Sequence, residues 1–281
     1  MNFKLKKLSK ILIFLALYNL GFAIPKYDNE DEKRLNAVKE FYTNVLKDGK
    51  SKSNPTPLLA DGINILTKEP VEWIFPNGEK VKISNFANQQ NFLRTLVSLS
   101  EVTGDTKYIN TAVDTSKYFM DNFVSENKLF YWGGHRFLNL DTLTTVGPQN
   151  KNQVHELKNL FPYYEFLYEI NPEVTKNYVI AFWNAHVEDW DTLDMGRHGN
   201  YDKKFNPNVF KEHHPKDIVD PNKLPALSET KGLTFINAGS DLIYSAYVLN
   251  SLSPNKEMKD WGKTVFTQYQ LARNPETGAP V

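Results

Sequence analysis

Between residues 88 and 272, apolar side chains recur every three or four positions in six stretches, and the stretches come in pairs. This spacing puts them on one face of an α-helix, so each pair predicts a helical hairpin. The first pair covers 88–102, with Phe92, Leu93, Leu96, Val97 and Leu99 apolar, and 106–123, with Ile109, Ala112, Val113, Tyr118 and Phe119. Thr103-Gly104-Asp105 separates the two. The second pair covers 161–170 and 173–190 around Asn171-Pro172, and the third 241–252 and 256–272 around Ser253-Pro254-Asn255. Pro162 is expected in the first turn of its helix, where no amide donor is needed. Pro172 and Pro254 are expected in the turns between helices. Upstream, Leu35, Val38, Phe41, Tyr42 and Val45 predict an amphipathic helix over 31–48. Residues 49–86 carry Pro55, Pro57, Pro70 and Pro76 and read as irregular or extended. Within them Pro76-Asn77-Gly78 turns a small β-hairpin of 71–75 and 80–83.

Helical hairpins joined by long loops predict a mostly α fold. The expected architecture is an (α/α) toroid or barrel whose inner helices and loops line a central cleft. An irregular helical domain or an α-solenoid is the plainer alternative. Three hairpins are too few to close a ring, and the last residues, from Asn274-Pro275 to Val281, read as a turn. The barrel is therefore expected to be incomplete, with its remaining hairpins beyond Val281.

The first 23 residues follow a different pattern. Lys4, Lys6, Lys7 and Lys10 precede an apolar run from Ile11 to Leu20, and Gly21-Phe22-Ala23 is a small-x-small site. This is the pattern of a secretory signal peptide, and the apolar run is too short for a membrane span. Cleavage is expected after Ala23, leaving residues 24–281 as one domain, periplasmic or secreted, with no stable membrane insertion.

Cleavage also changes the charge. The full chain balances 33 Lys and Arg against 33 Asp and Glu. The leader takes four Lys and no acid, so 29 basic residues remain against 33 acidic, a formal −4. That argues against a general affinity for nucleic acid, which needs a basic footprint. A polyanionic substrate would need a local basic cleft instead. With no cysteine, disulfides and thiolate metal sites are excluded, so any metal is held by His, Asp, Glu or carbonyls.

The loops of 124–158 and 191–240 hold five of the six histidines, all but His186. Long loops in a compact domain are usually functional or disordered, and Phe130, Tyr131, Trp132 and Phe137 favour an ordered one here. His135 lies in Tyr131-Trp132-Gly133-Gly134-His135-Arg136-Phe137, and His198 in Asp194-Met195-Gly196-Arg197-His198-Gly199-Asn200. Glycines beside each histidine let backbone and ligand approach closely. With Glu156, these two imidazoles can hold a divalent metal, but His155 competes with Glu156, and His213-His214 is a second candidate pair. Either pair is equally consistent with surface or capping histidines.

Three motifs share an order with a known family. Gly-Gly-His at 133–135 is followed by His-Glu-Leu-Lys-Asn at 155–159 before a Pro-Tyr-Tyr-Glu helix start, then by Asp-Met-Gly-Arg-His-Gly at 194–199. The chain resembles polysaccharide lyase family 2, the bacterial pectate lyases with an (α/α)7 barrel. Ile236-Asn237-Ala238-Gly239-Ser240-Asp241 and Ala272-Arg273-Asn274-Pro275 agree, as does the separation of 21 residues from His135 to Glu156. The resemblance covers most of residues 85–281 and matches the N-terminal half of the family's chains. It implies that His135, Glu156 and His198 bind a divalent transition metal, manganese or else cobalt, nickel or zinc. It implies that Arg197 is the Brønsted base and that polygalacturonate or its oligomers are the substrate.

That chemistry suits these residue types. Cleavage removes the C5 proton beside a carboxylate and expels the glycosidic oxygen on C4. A metal on the carboxylate offsets the charge that opposes a second negative charge there. Nitrogen and oxygen ligation favours Mn, Co, Ni or Zn over calcium. On chemistry alone Arg197 is a carboxylate clamp, since a guanidinium is protonated at ordinary pH; as a base it requires an alkaline optimum. Lys128, Arg136, Lys151 and Lys158 are candidate uronate contacts, Trp132 a candidate for sugar stacking or for the core, and His155 a partner to a ligand. Tyr164 and Tyr168 share a helix face that belongs to either core or cleft. The rival readings are an (α/α)-barrel uronide hydrolase or epimerase, which would not need Arg197, and a non-catalytic oligouronide binder or inactive lyase remnant.

Overall fold

A computed structural model describes residues 28–147, 154–191, 193–214, 236–271 and 276–278. The leader and its cleavage point, Lys151 and the 272–275 motif lie outside the described residues. The chain divides into two compact units, residues 1–44 and 45–281. Helix α1 (Asn29–Asp48) runs across this division and begins two residues before the predicted start.

The predicted hairpins are present. The first is α2 (Gln90–Thr103) with α3 (Lys107–Asn122), the second α4 (Tyr164–Ile170) with α5 (Pro172–His186), and the third α7 (Ile236–Leu252) with α8 (Lys256–Leu271). Helix α2 buries Leu93, Leu96 and Leu99, the spacing read from the sequence. Residues in α4 and α5 pack against α7, joining the second and third hairpins. The described residues form a mostly α structure with eight helices and small sheets.

Two prolines sit elsewhere than expected. Pro162 precedes α4, outside its first turn. Pro172 is not in the turn but opens α5, where its missing amide costs nothing. Asn171 caps that helix, its side chain accepting from Val174 N at 3.1 Å, a contribution of about 1 kcal/mol. Helix α5 also ends at His186, four residues early. The carbonyl of His186 accepts instead from Gly196 N at 2.9 Å, and Val187 starts strand β6 (Val187–Asp189), which pairs with β7 (Asp194–Met195). Every residue from Tyr178 to His186 is buried, so α5 is the central helix of this unit.

The expected β-hairpin exists but is half of a larger sheet. Strand β1 (Glu72–Ile74) pairs with β2 (Lys80–Ser84) in the register Trp73↔Val81. Strand β2 continues antiparallel to β3 (Phe137–Asn139), and β3 to β4 (Thr145–Val146). Residues 137–146 complete the sheet from far along the chain, which local pattern does not reveal. Val81, Ile83 and Phe137 form its buried face. This sheet anchors the residues directly after His135. A short helix α6 (Val209–Glu212) and the two-stranded pair β5 (Val154–His155) and β8 (Gly199–Asn200) complete the described elements.

The centre is aromatic. Phe86 stacks on Phe119 at 4.3 Å, and Phe130 on Tyr178 at 4.2 Å, with Trp132 edge-on to Phe130 at 4.9 Å. Each such pair contributes about 0.5–1.5 kcal/mol beyond its buried area. Trp132 is 0% exposed, which takes it out of reach of a sugar face; the sugar-stacking expectation gives way to the core one. Tyr164 is likewise core.

Candidate metal centre

Three chain segments meet at the site. The antiparallel pairing of β5 with β8 sets Val154 opposite Asn200 and His155 opposite Gly199, which brings the next residues, Glu156 and His198, side by side. Gly133 bridges to Glu156 in parallel fashion, and Gly134 N donates to the Glu156 carbonyl at 2.7 Å. Gly133 has φ +102°, and a Cβ there would collide with the Glu156 carbonyl oxygen. A Cβ on Gly134 would collide with the Glu156 carboxylate. The Gly-Gly pair is therefore what lets the His135 segment lie directly on the Glu156 segment. Asn85 holds the turn from behind, donating to Gly133 O at 2.7 Å and accepting from Gly133 N at 3.0 Å.

The result is a cluster of His135, Glu156 and His198 whose candidate ligand atoms all lie within 4.8 Å of one another. It is the one such group of three among the described residues. His135 Nε2 lies 3.1 Å from His198 Nε2 and 3.0 Å from Glu156 Oε2. His198 Nε2 is 3.8 Å from Glu156 Oε1. Arg197 Nε donates to His198 Nε2 at 3.2 Å and lies 3.4 Å from Glu156 Oε1. Lys158 Nζ is 3.4 Å from Glu156 Oε2. Four potentially cationic groups thus surround one buried carboxylate, yet Oε2 takes no hydrogen bond. A buried carboxylate is costly without cationic partners, and His135 and Lys158 lie against this oxygen at 3.0 and 3.4 Å. Two imidazole nitrogens and one carboxylate directed at a common point fit a borderline divalent metal.

The segment after Glu156 is strained. Lys158, Asn159 and Phe161 all have φ between 42° and 59°. Helix α7 holds them: Asp241 Oδ2 accepts from Asn159 N at 3.0 Å, and Ser240 Oγ donates to Asn159 Oδ1 at 2.9 Å. Strain held by surrounding structure is common at functional sites. A small cavity of about 10 Å³ lies between Lys158, Arg197, His186 and Asp241, room for about one water. Asp241 is buried, and desolvation pushes its carboxyl up to about 7. Its Oδ1 has no hydrogen-bond partner.

Other expected residues fall differently. Arg136 is half-buried, its guanidinium over the rings of Tyr131 and Tyr201 at 4.6 and 5.0 Å and donating to Thr145 Oγ1 at 3.0 Å. His155 does not compete for the metal position. It is fully buried and its ring contacts His186, Trp132 and Tyr178. Burial pushes its imidazole well below the usual range, and that of His186 down to about 4, so both are neutral at pH 7. His213 stacks flat on Trp190 at 4.9 Å, and His214 is exposed; neither joins the cluster. Lys128 adopts φ 70° in the turn that leads to Phe130. Asn85, His186 and Asp241 had no role in the sequence reading. Only Asp241 carried a signal, as the last residue of a family-like motif.

Residues 56–281 match the family described as periplasmic pectate lyase. A pectate disaccharide-lyase of Dickeya dadantii (strain 3937) is 54% identical over 248 residues, which are 88% of this chain and 46% of the relative. The chain therefore spans about half the length of the curated relative it matches.

Proposed function

Given that the chain belongs to the periplasmic pectate lyase family, we propose that it serves metal-assisted β-elimination of polygalacturonate or oligogalacturonides. The observation that carries this reading is the cluster itself: two imidazoles and a buried carboxylate converging, with a guanidinium against them. His135, Glu156 and His198 would hold a divalent transition metal, with manganese favoured by the family resemblance and cobalt, nickel or zinc compatible with the donors. Bound there, such an ion supplies Lewis-acid neutralisation of the substrate carboxylate.

The protein's own residues then carry the proton. Arg197 takes the C5 proton in its neutral form, the C5–H electrons form the C4=C5 double bond, and the C4–O electron pair leaves with the sugar oxygen, which takes a proton from water. Arg197 lies beside the second ligand and its side chain is 42% exposed, as a group that must meet substrate requires. Lys158, half exposed at the rim, supplies positive charge for uronate carboxylates, and Arg136, partly exposed over Tyr131 and Tyr201, adds to it.

The helical hairpins are the inner and outer pairs of a partial (α/α) toroid in this reading. The leader of residues 1–23 directs export to the periplasm. Among the described residues no helix is long and apolar enough to cross a membrane. The test is direct. Metal-loaded protein incubated with polygalacturonate should generate the ultraviolet absorbance of a 4,5-unsaturated uronide, and chelation should stop it. Binding of polygalacturonate with no such product would favour a non-catalytic binder.

A further inference from the structure

Beneath the metal cluster lies a second, wholly buried pair of histidines that the reaction above does not use. We infer that His155 and His186 form a hydrogen-bond relay of fixed tautomers that positions all three ligand-bearing segments. This rests on the metal reading of the cluster, and it assigns positioning roles to both residues, not ligation.

The tautomers follow from the partners at the two ends. Trp132 Nε1–H is a donor only, and it is shared between His155 Nε2 at 2.9 Å and Tyr178 Oη at 3.0 Å. Tyr178 Oη also lies 3.0 Å from His155 Nε2. These contacts favour a bare His155 Nε2, and a neutral ring then carries its proton on Nδ1. That proton points at His186 Nε2, 2.8 Å away, which must accept it. His186 then carries its own proton on Nδ1, which lies 2.8 Å from the Gly196 carbonyl oxygen. A carbonyl only accepts, so the far end demands the same assignment independently. Every nitrogen in the relay has a role, with no donor facing a donor.

The relay touches each segment within three residues of a functional one. Trp132 stands three residues before His135. His155 is joined covalently to Glu156. The Gly196 carbonyl belongs to the peptide unit that leads into Arg197. His186 grips that glycine twice, since Gly196 N also donates to the His186 carbonyl at 2.9 Å. His186 is the last residue of α5, so the three loops are referenced to the most buried helix of the unit. Loops alone place ligands poorly; hydrogen-bonded support behind them sets the geometry.

The first test needs no mutation. Long-range ¹H–¹⁵N NMR of imidazole nitrogens in the zinc-loaded protein near pH 7 should show His155 and His186 both protonated at Nδ1 alone. An Nε2–H or doubly protonated form of either ring overturns the relay. The second test compares His186→Leu with His186→Asn, whose amide restores one donor and one acceptor. Zn²⁺ affinity is measured by calorimetry on protein shown to be folded by circular dichroism. The Leu variant should bind Zn²⁺ about 10- to 100-fold more weakly, with Asn recovering most of the loss. Unchanged affinity in folded Leu variant overturns the positioning role, leaving the metal reading intact. Wild-type protein that binds no Zn²⁺ overturns the metal reading and the positioning role with it. If the Leu variant does not fold, the wild-type NMR spectrum decides.

Discussion

Two pairs of histidines lie close together in this protein, and they differ in which nitrogens face each other. In the pair His135 and His198, Nε2 faces Nε2 at 3.1 Å. In the pair His155 and His186, Nδ1 faces Nε2 at 2.8 Å. The ring separations are nearly the same, 4.8 and 5.1 Å, so distance alone does not tell them apart. Environment does. The buried pair is bracketed by a donor and an acceptor and is complete as two neutral rings. The other pair opens beside the Glu156 carboxylate, where His135 Nε2, His198 Nε2 and a carboxylate oxygen lie close enough to serve one ion. The first arrangement is closed within the core, and the second is the candidate metal centre.

The largest effect that would sharpen this contrast is on rate. Arg197→Ala should lower kcat on polygalacturonate by about 10²–10⁴-fold, the usual contribution of a positioned base. Zn²⁺ affinity, read by calorimetry, should stay within a few-fold, because Arg197 is not a ligand. Retention of most activity would favour the hydrolase or epimerase alternative. Next in size is Gly133→Ala. The φ of +102° and the collision with the Glu156 carbonyl should destabilise the fold by about 1–3 kcal/mol or more, read from urea unfolding. A Gly133→Ala protein as stable as the parent would mean that the close approach of these segments is dispensable.

Metal removal separates the two pairs directly. If the cluster binds Mn²⁺ or Zn²⁺, metal at 100 times its dissociation constant should add about 2.7 kcal/mol of stability, which chelation removes. Glu156→Gln should abolish that difference in thermal melts. If the increment survives in Glu156→Gln, the ion sits elsewhere.

The smallest predicted effect concerns Asp241, in chelated protein. Its folded pKa of about 7 lies above the ordinary carboxylate value, so the folded state holds its proton longer than the unfolded chain. Stability is therefore lost as pH rises from about 4 to about 7, and stays level above. Glu156, Lys158 and Arg197 line the same cavity, and Tyr164 feels its charge. Asp241→Asn keeps an acceptor for Asn159 N without the charge. Its melting temperature should exceed the parent's by more at pH 8 than at pH 4.5. An equal difference at both values would show that the carboxyl titrates normally.

Much of the fold was legible because its cause is local. The three- and four-residue spacing of Leu93, Leu96 and Leu99 describes one helix face wherever that helix lies. The ends were less legible. Helix α5 stops at His186 because a glycine ten residues onward supplies its carbonyl with a partner, and no pattern around residue 186 announces that. The hairpin of β1 and β2 was visible from its turn, but its extension into a four-stranded sheet depends on residues 137–146.

The sequence by itself determined which residues could be ligands: with no cysteine and few histidines, His135, Glu156 and His198 beside glycines were candidates from chemistry and family resemblance together. It also showed glycines beside both histidines, which let backbone and ligand approach closely. Only the tertiary structure decided which histidines point together and which turn away, that Trp132 belongs to the core, and that Asn85 and His186 hold the loops from behind. Helical spacing and glycine placement act between neighbours along the chain and survive in a string of letters. Facing nitrogens, burial and hydrogen-bond partners are set by segments dozens of residues apart, and they exist only once those segments have met.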